Sequence, residues 1–214
     1  DHSAIPEHAR FSSWRLAKLL LIGAALWVLP MGLLTLWQGW HGPLTQMSWF
    51  FTKAALLTFG GAYAVLPYVY QGAVLQYGWL SPLQMIDGLA LGESTPGPLI
   101  MVVVFVAFLG GYQGAFLGAD QALAAGMLAA LLVCWFTFLP SFLFVLGGAP
   151  LIEATRGELR LTAALTGVSA AVVGVIVNLA LFFGWHVVMP AEAAGPDWLA
   201  LCIGLIAAGL LFGR

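Results

Sequence analysis

The sequence predicts an all-α integral membrane protein, a polytopic helical bundle with four long transmembrane helices and two broken or re-entrant helical segments. Of the 214 residues, 62% are hydrophobic and 7% are charged, and the mean hydropathy is +0.99. A soluble domain carries about 25% charged residues, so this chain cannot form an ordinary polar shell. Several apolar runs approach the roughly 20 residues that a helix needs to cross hydrocarbon about 30 Å thick.

The composition also argues against several classes of function. The net charge of −2 gives no basic surface for nucleic acid. Cys134 and Cys202 both lie in apolar runs, which excludes a disulfide framework. The sequence shows no metal-ligand spacing, nucleotide-binding loop or nucleophile motif, so we predict no metal and no cofactor, and an enzyme is the least favoured class.

Residues 1–13 are predicted to form a polar linker ahead of a transmembrane half-domain over 14–214. Asp1 stands where a start methionine would be, so we expect the linker to continue a longer chain or the numbering to have been shifted. The first apolar segment is too long and too tryptophan-flanked for a cleaved signal peptide.

Four runs are predicted to be long helices, and tryptophans near their ends fit the aromatic belts of a membrane interface. Asp120 is a candidate N-cap for the second run, and Pro140 is its only candidate kink. Asn178 in the third run is expected to form an interhelical hydrogen bond. The runs are 14–37, 121–147, 161–188 and 196–213.

The two middle segments, 43–76 and 81–111, are predicted to be broken helices. The first is interrupted at Gly60-Gly61 and at Pro67, and the second at 95–98, whose sequence is Thr-Pro-Gly-Pro. The second opens at Ser81 with a Ser-Pro-Leu-Gln capping box, and its later piece, 99–109, has the length of a half-helix. Interrupted helices persist in hydrocarbon only where they face protein or a wet cavity.

Gly60, Gly61 and Gly97 are candidate substrate-binding residues. A half-helix that starts at each interruption presents unpaired N–H groups, and glycine lets the backbone approach a ligand closely. Together the two interruptions are typical of an anion site in a transporter. The alternative is that both are packing kinks, because Gly110-Gly111 and Gly147-Gly148 also occur.

Lys53 is a further candidate, because it is the one cation inside a membrane segment away from the segment ends. An intramembrane lysine costs roughly 2.5 kcal/mol or more unless it is paired, hydrated or snorkelling. Attraction of an anionic substrate towards Gly60 is one interpretation. A lysine that snorkels near the start of its helix is the other.

Glu93 and Asp87 are candidates for ion coupling, and Tyr63, Ser94 and Thr95 offer hydroxyls to the substrate. The two carboxylates lie six residues apart on different helix faces, so they do not form a dyad. Glu93 next to an anion site is expected to change protonation or to pair with Lys53. For Asp87 an interfacial carboxylate, and for Thr95 a helix cap, are the alternatives.

The basic residues predict a cytoplasmic N-terminus. Arg10, Arg15 and Lys18 precede the first long run, and Arg156 and Arg160 separate the second from the third. With Arg214 at the end of the chain, these groups share one side if the broken segments cross an even number of times. Two crossings or two re-entrant hairpins satisfy that condition equally well.

The ordered motifs of this chain resemble the second half of long members of the chromate ion transporter family. The resemblance covers nearly all of residues 45–185, with two departures: Ala62 stands where the family commonly has a third glycine, and Glu93 where it commonly has glutamine. The second departure puts an obligatory coupling role for Glu93 in doubt and suggests a tuning of affinity or selectivity. The motifs lie at 51–67, 78–81, 87–92, 95–98 and 161–181.

The resemblance implies a carrier that exports chromate, a tetrahedral divalent oxyanion, and so confers resistance. Sulfate, which is close to chromate in shape and charge, is the expected competitor, and a sulfate or other oxyanion carrier of the same architecture is the alternative. The resemblance also implies a homologous first half-domain or a paired subunit, with a homodimer possible in principle. A purely structural half, whose partner holds the site, is the third alternative.

Overall fold

The computed structural model describes residues 13–58, 62–95, 99–154, 159–189 and 195–212, and within these ranges the ordered elements are helices and no strand occurs. A π-helix at Gln71–Gln76 continues α3, and 3-10 turns at Leu99–Met101 and Ala119–Gln121 lead into α5 and α6. The α-helices are α1 Ser13–Gln38, α2 Pro43–Leu57, α3 Ala62–Tyr70, α4 Pro82–Ser94, α5 Val102–Gly114, α6 Ala122–Ala154, α7 Leu159–Val188 and α8 Trp198–Phe212.

The helical membrane class is confirmed, and the four long spans only in part. Ser13–Gln38 and Ala119–Gly148 are long and apolar enough to cross a membrane, whereas the apolar part of α8 is shorter. The predicted cap at Asp120 is wrong, because Asp120 lies within the 3-10 turn and the α-helix starts later, at Ala122. Of the predicted linker, only Ser13 is described, and it starts α1.

Helices α1 and α6 pack antiparallel. Gly23 lies against Leu143, whereas the Trp135 indole donates to the Leu26 carbonyl at 3.1 Å, so residue numbers rise along α1 as they fall along α6. A Cβ added to Gly147 would lie 3.2 Å from Leu16. The start of α1 and the end of α6 therefore share one end of the bundle, which we call the basic end. The opposite end, where α1 ends and α6 begins, is the far end.

Helices α2 and α3 form a hairpin that starts and finishes at the far end. Phe50 of α2 stacks on Tyr68 of α3 with ring centroids 4.8 Å apart, and it also lies against Gly72 in the π-helix. Tyr77 and Trp79, in the turn that follows the π-helix, also lie against Phe50 and complete this aromatic cluster. Their rings are stacked with centroids 4.5 Å apart. At about 1.5 Å per residue, the 15 residues of α2 reach about 22 Å, against about 39 Å for the 26 residues of α1. Helix α2 therefore stops well short of the basic end.

The predicted break at Pro67 is wrong, because α3 continues through this residue. A proline inside a helix costs about 3 kcal/mol through its missing N–H and its ring. Val65, Leu66 and Val69 are almost fully buried, and packing against neighbouring elements lets a membrane helix tolerate a proline. The helix therefore continues through Pro67 and widens into its π-helix only after Tyr70.

Helices α4 and α5 form a second hairpin from the same end. The predicted capping box at Ser81 is confirmed: its hydroxyl accepts from the Gln84 N–H at 3.2 Å, and the Gln84 side chain accepts from the Ser81 N–H at 2.9 Å. Gly88 of α4 lies against the ring of Phe105 in α5. Helix α5 then returns to the far end, where Ala115 takes a left-handed conformation and the chain enters α6.

The interruptions in the two hairpins lie at about the same depth. A Cβ added to Gly110 of α5 would lie 2.6 Å from the Met47 methyl of α2, so these two residues are level. Leu57, where α2 ends, is ten residues beyond Met47, and Leu99 is eleven residues before Gly110. Both distances amount to about 15 Å of helix. The two hairpin tips therefore face the basic end together.

Small residues let α5 and α6 approach closely. A Cβ added to Gly111 would lie 2.7 Å from the Ala125 carbonyl oxygen and 2.7 Å from the Ala129 methyl. Gly126 faces the Phe108 carbonyl in the same way, at 2.9 Å. Close backbone approach of this kind is the usual means by which membrane helices associate.

We predict that Gly111→Ala destabilises the protein by about 1–3 kcal/mol, because the new methyl overlaps a backbone atom that cannot rotate away. Thermal unfolding in detergent, followed by loss of the monodisperse peak on size-exclusion chromatography, measures the effect. Gly32→Ala in α1 is the control, since a Cβ there meets nothing within 4 Å. Equal unfolding temperatures for the two variants would contradict the close approach.

Candidate functional site

A pocket of about 470 Å³ lies between the two hairpins and α7. Its walls are mostly apolar, and its two polar side chains are Tyr63 and Glu93, both predicted from the sequence. A mainly apolar cleft with a few placed polar groups is the usual form of a small-ligand site. The lining residues are Tyr63 and Leu66 of α3, Ile86, Leu89, Ala90 and Glu93 of α4, and Ile176, Ala180 and Phe183 of α7.

Tyr63 and Glu93 lie beside the two interruptions and contact each other. Tyr63 is the second residue of α3, and Glu93 is the penultimate residue of α4. The Tyr63 hydroxyl donates to Glu93 Oε1 at 3.5 Å, a long hydrogen bond between exposed groups. The start of α3, the helix after the first interruption, therefore contacts the end of α4, the helix before the second interruption.

Ser94 and Thr95 are held by the end of α4. Both hydroxyls donate to the Leu91 carbonyl, at 3.1 Å and 2.6 Å. The same carbonyl also accepts from the Thr95 N–H at 3.1 Å, and Thr95 is the C-cap of α4, as the capping alternative for this residue expected. Each hydroxyl must rotate away from Leu91 before it can donate to a ligand.

Thr58 matches Thr95 at the other hairpin, and sequence reasoning missed it. Its hydroxyl donates to the Ala54 carbonyl at 2.6 Å, and Thr58 is the C-cap of α2 as Thr95 is of α4. The available signal was the shared order of a threonine shortly before glycine in both interruptions. The α7 wall was also missed, although Ile176, Ala180 and Phe183 follow one helix face at spacings of four and three.

Lys53 is not part of the pocket. Its ammonium lies 5.8 Å from the centroid of the Trp49 ring, one helical turn back from the tip of α2. The carboxylate of Glu93 contacts Tyr63 instead, so the structure does not show the Lys53–Glu93 pair that was one expectation. Side chains of a helix lean towards its N-terminus, which accounts for the direction that Lys53 takes.

Asp87 lies on a different face of α4 from Glu93 and is exposed. Ile86 and Glu93 line the pocket whereas Asp87 does not. Six residues at 100° each place the two carboxylates roughly 120° apart around the helix. The prediction that they form no dyad agrees with this placement.

Gly60, Gly61 and Gly97 lie outside the described residues. The described elements on either side place one helix C-terminus and one helix N-terminus at each interruption. The opposed partial charges of such ends offset each other in a net field. Any anion affinity at the tips therefore depends on direct N–H contacts at the starts of α3 and α5 and not on a long-range dipole.

The fold and the pocket define the class: a helical membrane protein whose candidate site lies between two interrupted helical hairpins. The model of the chromate transporter family matches residues 45–214. The chain therefore belongs to the chromate transporter family, which confirms the resemblance seen in its motifs.

Curated relatives agree with this assignment. The chain is 36% identical over 162 residues to a chromate transport protein of Pseudomonas aeruginosa, covering 75% of this chain and 34% of that protein. It is 33% identical over 133 residues to one of Cupriavidus metallidurans, covering 62% of this chain and 30% of that protein. A probable chromate transport protein of Synechococcus elongatus is 29% identical over 142 residues, or 66% of this chain and 32% of that protein.

The matched region spans about a third of the length of these relatives. No solved structure matches the chain.

We predict that cysteines at positions 63 and 93 are joined by a short bifunctional thiol reagent in a background in which Cys134 and Cys202 are replaced. The two side chains meet in the structure, so after cleavage at a protease site engineered into the 77–81 turn the cross-linked fragments should still migrate as one band on a denaturing gel. The pair Lys53→Cys with Glu93→Cys is the control, and it should remain unlinked. Efficient linking of the control pair alone would contradict the geometry of the pocket.

Proposed function

We propose that this chain forms half of a secondary carrier that exports chromate across the bacterial inner membrane and so confers chromate resistance. Membership of the chromate transporter family supports the substrate. The Tyr63–Glu93 contact is the observation that carries the proposed site, because it joins the flanks of both helix interruptions at one pocket. A homologous half-domain or a paired subunit supplies the rest of the carrier.

In the proposed topology α1, α6, α7 and α8 cross the membrane, and the hairpins α2–α3 and α4–α5 are re-entrant. Both hairpins start and finish at the far end, so together they add no net crossing. Arg15 and Lys18 then share the basic end with the residues that follow α6, in agreement with a cytoplasmic basic end. The hairpin tips point towards the cytoplasm from the opposite side.

Chromate binds between the tips in this proposal. Backbone N–H groups around Gly60, Gly61 and Gly97 replace part of its hydration shell, and Tyr63, Ser94 and Thr95 add hydroxyl donors. Moving one charge through 100 mV is worth about 2.3 kcal/mol, so an inside-negative potential favours the exit of a dianion by about twice that amount. Export by this route requires no ATP.

Glu93 controls the charge of the site. Two unit charges 5 Å apart interact by roughly 3 kcal/mol at an effective dielectric constant of 20, and a dianion doubles this repulsion. In this proposal Glu93 is the ion-coupling residue, and Tyr63 contacts its carboxylate when the site is empty. Asp87 remains a second candidate for ion coupling, on the exposed face of the same helix.

Flux of chromate in oriented vesicles, with voltage and proton gradients imposed separately, tests the function. We expect uptake into inside-out vesicles that increases when their lumen is made positive. Competition with labelled sulfate separates a chromate carrier from a general oxyanion carrier of the same architecture. The proposal is overturned by an absence of flux from chain and partner half together in a folded preparation.

We predict that Glu93→Gln removes the dependence of chromate flux on the proton gradient and keeps its dependence on voltage. An amide fills the same space and accepts from Tyr63, but it cannot take up a proton. Asp120→Asn is the control, because it removes an exposed carboxylate in the turn before α6, outside the pocket. A Glu93→Gln protein whose flux responds to the proton gradient as the parent does would remove Glu93 from coupling.

We predict that Tyr63→Phe raises the chromate concentration for half-maximal flux by about tenfold, which corresponds to one hydrogen bond to a charged group at about 1.4 kcal/mol. Tyr112→Phe is the matched control, because Tyr112 is exposed, stacks on Phe108 and lies outside the pocket. An unchanged half-saturation in Tyr63→Phe would show that the hydroxyl does not contact the anion.

A further inference from the structure

A second concave surface lies between α1, α2 and α6 and shares no residue with the pocket described above. We call it the lateral groove; its volume is about 410 Å³ and its walls are almost entirely apolar. Leu20, Val28, Leu56 and Phe144 on its walls are all strongly exposed, so it opens to the side of the bundle. Its lining is Leu20, Gly23, Ala24, Trp27, Val28, Trp49, Thr52, Leu56, Leu139, Pro140, Leu143 and Phe144.

The polar groups in the wall of the lateral groove are already paired. The Thr52 hydroxyl donates to the Ser48 carbonyl at 2.7 Å and accepts from the Trp27 indole at 3.1 Å. The wall therefore offers a ligand apolar contact and little hydrogen bonding. An ionic substrate would lose its hydration here without compensation.

One charge stands at the rim of the groove. The Lys53 ammonium lies over the ring of Trp49, a wall residue, and within the described part of the chain it forms no ion pair with a carboxylate. A cation–π contact contributes about 0.5–2 kcal/mol and supplies no counter-charge. An anion beside Lys53 would supply that charge.

The position of Lys53 along the groove indicates which anion fits. The ammonium points towards the far end, where the Trp49 ring lies 6.0 Å from that of the exposed Trp40. Tryptophans of this kind mark the level of lipid headgroups. From Val28 the groove continues along α1 to Leu20, about 12 Å towards the basic end. A charged site near the interface thus leads into an apolar channel that runs along the membrane normal.

We propose that the lateral groove binds an anionic phospholipid, whose phosphate pairs with Lys53 and whose acyl chain fills the groove between α1, α2 and α6. The lipid comes from the leaflet at the far end. Charge complementarity at Lys53 and the apolar walls together select this occupant. It neutralises Lys53 and fills the space beside the outer face of α2, and the assignment is independent of which anion the protein transports.

Native mass spectrometry of the purified 214-residue chain with phosphatidylglycerol or phosphatidylcholine tests the charge. We expect phosphatidylglycerol to be retained about fivefold more than phosphatidylcholine, as for one lysine beside an anionic headgroup. Lys53→Gln should abolish this preference, and Lys53→Arg should keep it. The proposal is wrong if the parent retains both lipids equally, or if a folded Lys53→Gln protein keeps the full preference.

Filling the groove tests the apolar part without a change of charge. Ala24→Phe places a ring in the groove and should lower phosphatidylglycerol retention severalfold, whereas Ala25→Phe, on the neighbouring exposed position outside the groove, should not. Equal retention by the two variants would place the lipid elsewhere.

Chromate flux separates the two roles open to Lys53. The lipid role predicts that Lys53→Gln leaves the half-saturation for chromate unchanged in vesicles of phosphatidylcholine alone. A raised half-saturation there, with lipid retention unaffected, would assign Lys53 to the substrate and overturn the lipid site.

Discussion

The candidate site depends on the level at which α2 and α5 lie beside each other, which the contact between Met47 and Gly110 shows. Their nearly equal lengths beyond this point bring both interruptions to about one depth. Backbone groups freed by an interrupted helix must find partners in a membrane, because hydrocarbon offers none. Placing the two interruptions side by side lets one enclosed region serve both. The rings around Phe50 then hold α3 against α2, which keeps the first hairpin closed.

Glu93 gives the pocket a chemistry that its apolar walls do not. A carboxylate beside a phenol can exist charged and bonded, or neutral after it has gained a proton, and the two states differ in how they receive a dianion. A glutamine at this position would offer only the neutral state.

Local signals in the sequence predicted much of the fold. The capping box at Ser81 and the apolar run that became α1 were recognisable because each depends on residues within a few positions of one another. Pro67 shows the limit of local reasoning, since burial of its neighbours decides whether the helix continues, and burial depends on the distant Phe50. The direction of Lys53, by contrast, is a local feature, because Trp49 lies one helical turn before it. Within the pocket, Tyr63 and Glu93 were found individually, but their contact spans thirty residues and required the fold.

The course of the two hairpins affects how such proteins can evolve. Because each hairpin begins and ends at the far end of the bundle, it leaves the direction of every later helix unchanged. A hairpin of this kind can be lengthened, replaced or duplicated without turning α6, α7 or α8 upside down. A transmembrane helix offers no such freedom, because adding or removing one inverts everything downstream. The two hairpins that contribute to the candidate site are therefore the parts that natural variation can alter at least risk to the remainder of the chain.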